Sequence, residues 1–301
     1  MFRQCAKPPD NFTAGKETGK KTKFINRQVF EMEHEVSYND RLKQKQMAKQ
    51  DSILRMTGNI DNINFFKKSD GTYHARKKGG IDKNRLLNDP KYKRTREHMA
   101  EFGLAIKGAK LIRRSLLKAI IGSVDNKVSN RLASKLVAIT REDPNNLRGE
   151  RIFTHSGLTS LKGFDFNAVT LLDTVLLTQV GAEINRTTGE CTVTIPPYVP
   201  EEQLKLSPDA THYRFRIAAA AIDFATATFE MQTAVSPYMV MDTLTETTAL
   251  TLGVTLTPAS VHPLMLALTI EFVQETEEGT MYPLKNGSMN PCRIEAVSVG
   301  G

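Results

Sequence analysis

One stretch limits the fold of this chain more than any other. Residues 59–122 read NIDNINFFKKSDGTYHARKKGGIDKNRLLNDPKYKRTREHMAEFGLAIKGAKLIRRSLLKAIIG. Its first part is a hairpin. In an extended run Ile63, Phe65 and Lys67 share one face, and Asn62, Asn64 and Phe66 share the other. Asp70-Gly71 breaks the run, and such a pair between two extended segments marks a tight turn, because Gly supplies positive φ. Thr72 to Arg76 is the predicted return strand. A two-stranded ribbon is marginal in water, so the face with Ile63 and Phe65 needs a partner surface.

The second part is a long helix. Asp89 suits the cap and Pro90 the first helical position. Met99, Phe102, Ile106, Ala109, Leu116, Leu117 and Ile120 recur at spacings of mostly three and four, which predicts one apolar stripe. Lys107, Lys110, Arg114 and Lys118 make an adjoining basic stripe. Gly103, Ala105, Gly108 and Ala109 are small and would let another backbone approach. Gly103 is the expected bend or break, and Gly122 the expected stop. A second stripe, Val128, Leu132, Leu136 and Ile139, closed by Pro144, predicts an αα-hairpin rather than a DNA-reading helix-turn-helix.

Charge is divided unevenly along the chain. Residues 1–150 hold 33 Lys/Arg and 17 Asp/Glu, whereas residues 151–301 hold 8 and 16. A basic half of that kind meets polyanions, or meets the acidic half of a neighbouring copy in a head-to-tail assembly. Mean hydropathy is −0.34, no apolar run is long enough to span a bilayer, and the N-terminus lacks the apolar core of a secretory signal. These features predict no membrane insertion and a cytoplasmic or particle-bound location. Cys5, Cys191 and Cys292 are odd in number and far apart, which fits reduced structural thiols.

The chain divides by composition into three parts: a basic arm (1–46), a hairpin and helical basic region (47–150), and a β-rich region (151–301). Seven or eight strands with turns every 8–12 residues predict an antiparallel β-sandwich there, so the expected class is α+β. Alternation puts Tyr213, Phe215 and Ile217 in its core and Arg214 and Arg216 in solvent.

The stretch TGNIDNINFFKKSDGTYHARKKGGIDKNRLLNDPKYKRTREHMAEFG, with ATHYRFRIAAAAIDF and IEFVQETEEGTMYPLKNGSMN, resembles a family of uncharacterised proteins common in Bacteroidota. The shared features are a hairpin with an Asp-Gly turn, Arg-Lys-Lys-Gly-Gly, Asp-Pro, Arg-Thr-Arg-Glu and Glu-Phe-Gly. The resemblance covers residues 47–301; His98 and Met99 depart from its small polar pair. Family members begin near Met47–Gln50, so residues 1–46 are an added arm or an upstream start. The resemblance implies no activity.

Catalytic chemistry is not legible. Gly15 to Thr22 imitates a phosphate loop but has the wrong spacing and no preceding strand. His34, His74, His98, His155, His212 and His262 form no metal-binding spacing, and Ser156 lacks a nucleophile elbow. Asp165, Asp173 and Asp223 are scattered. No catalytic, cofactor or metal residue is assigned. The expected function is therefore a non-enzymatic structural protein that self-assembles into a homo-oligomeric particle, shell or filament, for which a phage origin fits. Phe65, Phe66, Phe102, Gly103, Ile106 and Gly108 are the expected oligomerisation residues. The alternative is sequence-independent nucleic-acid binding, with Lys77, Lys78, Lys91, Lys93, Arg94, Arg96, Lys107, Lys110, Arg114 and Lys118 on phosphates. With Tyr73 and Tyr92 as the only interleaved aromatics, single-strand stacking is not expected.

Overall fold

A computed structural model describes residues 47–50, 55–77, 79–205, 209–241, 244–284 and 289–300. The basic arm and Lys78 lie outside the described residues. The chain divides into two compact units, one ending at Lys83 and one beginning at Asn84.

The first unit holds a four-stranded antiparallel sheet, β1 (Met47–Lys49), β2 (Gly58–Ile60), β3 (Ile63–Lys67) and β4 (Tyr73–Lys77), in the order β1-β4-β3-β2. The expected hairpin is β3–β4. Gly71 has φ +83°, and the Asp70 carboxylate accepts from the Thr72 N–H (2.9 Å) and the Thr72 hydroxyl (2.6 Å). Those hydrogen bonds hold the Asp70 carboxyl below the usual carboxylate range. Two short strands that the sequence did not announce extend the ribbon on both edges. None of the described residues of this sheet is buried.

The second unit begins with the expected cap. Asp89 Oδ1 accepts from the Lys91 N–H (2.9 Å) ahead of a short 3-10 turn at Pro90–Tyr92. After α1 (Lys83–Asn88), the long helix α2 runs Lys93–Ser115. It passes through Gly103 without a break and is interrupted at Leu116 instead, where α3 (Leu117–Ile120) begins. The result is about 35 Å of continuous helix, shorter than a helix reaching Gly122. Gly122 does stop the segment, with φ +75°. In α4 (Val128–Arg141) the expected stripe is buried throughout.

Two sheets follow. The larger one is built on β7 (His212–Asp223) and β11 (Leu264–Glu275), which pair along ten residues. β8 (Thr228–Val235) and β9 (Met239–Val240) flank β7, and β12 (Met281–Pro283) and β13 (Cys292–Ser298) flank β11. The smaller sheet is β10-β6-β5, from Leu250–Thr255, Glu190–Ile195 and Gly181–Ile184. Tyr213, Phe215, Ile217, Ala219 and Ala221 of β7 pack toward Cys191, Val193 and Ile195 of this smaller sheet. Ala218, Ala220 and Ile222, on the opposite face of β7, pack with Ala105, Ala109 and Ile112 of α2. A strand with both faces covered reads as an unbroken apolar run, and IAAAAI is such a run. The class is α+β, and helices cover the outer face of the larger sheet. The compositional boundary near residue 150 falls inside this unit, where α2, α4 and the larger sheet share one hydrophobic cluster.

One expectation fails here. Arg214 and Arg216 are not in open solvent; their side chains are 21% and 19% exposed. Both donate to Glu271 Oε2 (2.7 and 2.8 Å), and Arg216 Nη1 also donates to the Lys118 carbonyl (2.8 Å). The end of α3 reaches over this corner of the sheet, so the arginines become its polar fastening.

Candidate functional site

The inward face of α2 is set by small side chains. Ala105, Gly108, Ala109, Ile112 and Ser115 are buried. A Cβ added at Gly108 would meet the Phe153 ring at 2.7 Å, so this glycine is used for packing within the chain and offers nothing to a second copy. Ala105 and Ala109 are committed in the same way. Gly103 is different: a Cβ there would meet nothing within 4 Å.

Leu111 and Ile112 are buried toward the end of the helix, but over residues 99–109 the inward apolar positions are held by small residues and the bulky apolar side chains point out. Met99, Phe102 and Ile106 are 52%, 53% and 47% exposed. Phe102 and Ile106 line a half-open groove of about 640 Å³ between α2 and α4, with Lys110, Arg113, Ser129 and Asn130 among its walls. Arg113 is anchored across it by a 2.6 Å hydrogen bond to Ser129 Oγ. Of the six expected oligomerisation residues, the structure puts Phe102 and Ile106 together, with Gly103 on the same helix. Phe65 and Phe66 lie on opposite faces of the first unit's sheet, so no single surface covers both.

The expected phosphate contacts are heterogeneous. Lys77, Lys91, Lys93, Lys107, Lys110, Arg114 and Lys118 are exposed. Arg94 pairs with Glu97 at 3.0 Å. Arg96 is a fastening instead: its Nη1 donates to the carbonyls of Leu86 (2.9 Å) and Asp89 (3.0 Å), which closes the end of α1.

A second concavity, about 430 Å³, gathers three residues that are remote in sequence: His155, Asp223 and His262, beside Phe153 and Phe224. His155 Nδ1 donates to the Gly300 carbonyl (2.7 Å). Asp223 is consumed by its own turn, accepting from the Ala225 N–H (2.8 Å) and the Thr226 hydroxyl (2.6 Å). Those bonds hold it below the usual carboxylate range. A carboxylate so engaged is poorly placed to act as a general base.

Titratable groups elsewhere serve the fold. Cys191 and Cys292 are free and buried, and burial pushes their thiols up to about 11 and about 12, away from the reactive range. Burial raises the Asp165 carboxyl, which accepts from the Leu172 N–H. Arg293 ties Asp173 to Glu295, at 2.5 and 2.8 Å. Among the described residues no group of three or more His, Cys, Asp and Glu is placed to hold a metal ion, and no helix is long and apolar enough to cross a membrane. No family model, curated protein or solved structure matches the chain.

Proposed function

We propose that this chain is a non-enzymatic subunit of a homo-oligomeric assembly, joined through the outer face of α2 and α4. The observation that supports this reading is the ridge of Met99, Phe102 and Ile106, half exposed on the stretch of α2 where small residues, Ala105, Gly108 and Ala109, are turned inward. Three large apolar side chains on one helix face, two of them lining the groove, lose water contact only if a partner covers them. The cations beside them, Lys110 and Arg113, and the acidic excess of residues 151–301 favour a neighbour docking basic face to acidic face. Such a heterologous contact builds rings, shells or filaments.

The test is mass by light scattering on nuclease-treated protein across a range of concentration and salt. The double variant Phe102→Asp, Ile106→Asp is expected to be monomeric with an unchanged circular-dichroism spectrum. Particles of undiminished size in that variant would sink the reading. A second reading, binding of polyanions by phosphate contacts, draws on the exposed Lys107, Lys110, Arg114 and Lys118 of the same helix. Salt separates the two: phosphate binding weakens steeply with ionic strength, and apolar docking does not.

A further inference from the structure

We infer that the sheet β1–β4 is a stacking platform for single-stranded nucleic acid. The pairing register puts Asn64, Phe66, His74, Arg76 and Lys49 on one face. There the Arg76 guanidinium stands 5.1 Å over the Phe66 ring, and Phe66 stacks with the His74 ring at 6.0 Å and 27°. These three groups form a column of flat, polarisable surfaces crossing β3 and β4. Lys49 lies opposite His74 at the next strand. Asn59 and Asn64, hydrogen-bonded to each other at 2.7 Å, add amide groups at the far edge. His74 Nε2 is engaged with the Thr72 hydroxyl (2.9 Å), while its Nδ1 is covered and has no hydrogen-bond partner, so the ring offers the ligand its flat surface rather than a hydrogen bond.

The chemistry of this face selects its ligand. Flat rings and a guanidinium offer stacking to any base, and cations beside them neutralise the connecting phosphates. A four-stranded sheet with such rings accommodates about two or three bases. Duplex DNA hides its bases in its own stack and would use only the cations. A protein partner would be better served by the opposite face, where Ile60, Ile63, Phe65 and Ala75 stand together. Charge agrees: residues 47–83 hold 8 Lys/Arg and 4 Asp/Glu. Without the register, Phe66 stood among the oligomerisation residues, His74 had no role, and only Tyr73 and Tyr92 counted toward stacking; the register makes Phe66 and His74 neighbours.

Fluorescence anisotropy on the nuclease-treated full chain tests this, with labelled oligo-dT and a labelled duplex of equal length, in low and high salt. Oligo-dT is expected to bind more tightly than duplex. Phe66→Ala is expected to weaken oligo-dT binding roughly tenfold with an unchanged salt slope, and Phe66→Tyr to restore it. Lys49→Ala is expected to weaken both ligands and to reduce the slope. Arg76→Lys keeps the charge and the strand while removing the planar group, and is expected to weaken oligo-dT binding alone. Equal affinity for the two ligands, or no loss in both Phe66→Ala and Arg76→Lys, would overturn the proposal and leave the phosphate contacts of α2. Particle mass, measured on the same variants, is expected to stay constant, which keeps this test separate from that of assembly.

Discussion

Two antiparallel sheets in this chain answer opposite demands. In the β7–β11 sheet both faces are covered, and ten consecutive residues of β11, from Leu264 to Val273, are buried save Glu271. In the β1–β4 sheet no described residue is buried, and half-covered rings are paired with cations instead. Backbone pairing is the same in both, so the ladder alone does not decide stability. Apolar burial does, and it separates a region whose side chains are spent on the fold from one whose side chains remain open to partners.

The largest expected effect tests that contrast directly. Phe215 is fully buried between the sheets and touches Tyr198 and Tyr213 edge to face. Phe215→Ala should lower the stability of the second unit by about 3–5 kcal/mol. Phe65→Ala, in the first unit, should change the second unit's unfolding by less than about 0.5 kcal/mol. Chemical denaturation followed by circular dichroism measures both. A comparable loss from Phe65→Ala would break the contrast.

Two glycines on one helix sharpen it. Gly108→Ala drives a methyl into Phe153 and the Leu136 side chain, at 2.7 and 3.2 Å, and should cost about 1–3 kcal/mol. Gly103→Ala meets open space in a helix interior and should add up to about 1 kcal/mol. Thermal unfolding should therefore move in opposite directions for the same chemical change five residues apart. Movement in one direction for both would mean that the inward face of α2 is wrongly assigned.

These helix residues also show what was legible in the sequence and what was not. The Asp70-Gly71 turn, the Asp89 cap, the α4 stripe and the β-rich character of residues 151–301 agree with turn chemistry and periodicity. The rotation of α2 was not legible. A hydrophobic pattern weights Phe102 and Ile106 above Ala105 and Gly108, yet the helix lies on an alanine-rich strand, where only small side chains allow close approach. The break at Leu116 has no glycine or proline to mark it. Strands β1 and β2 are three residues each, MAK and GNI, too short for alternation to register. The Arg214–Arg216–Glu271 fastening and the His155–Asp223–His262 concavity depend on pairings between remote segments, which spacing along the chain does not encode.

The smallest effect concerns one turn device used in both units. Asp143 Oδ1 accepts from the Asn145 N–H (2.9 Å), and its Oδ2 accepts from Asn146 Nδ2 (2.8 Å) and the Ile152 N–H (3.0 Å). Led by the Ile152 bond, these interactions hold its carboxyl down at about 2, against 3.8 for an unperturbed aspartate. A carboxyl depressed in the folded state contributes stability above pH 3.8, and that contribution is lost as pH falls from 3.8 toward 2. Asp70 caps the β3–β4 turn by similar bonds but lies in the first unit. In thermal melts between pH 5 and pH 2, Asp143→Asn should flatten the acid decline of the second unit's transition, and Asp70→Asn should leave that transition unchanged. An unaltered decline in Asp143→Asn would show that protonation elsewhere, at carboxylates such as Asp125 in its contact with Arg131, sets the acid limit of the buried region.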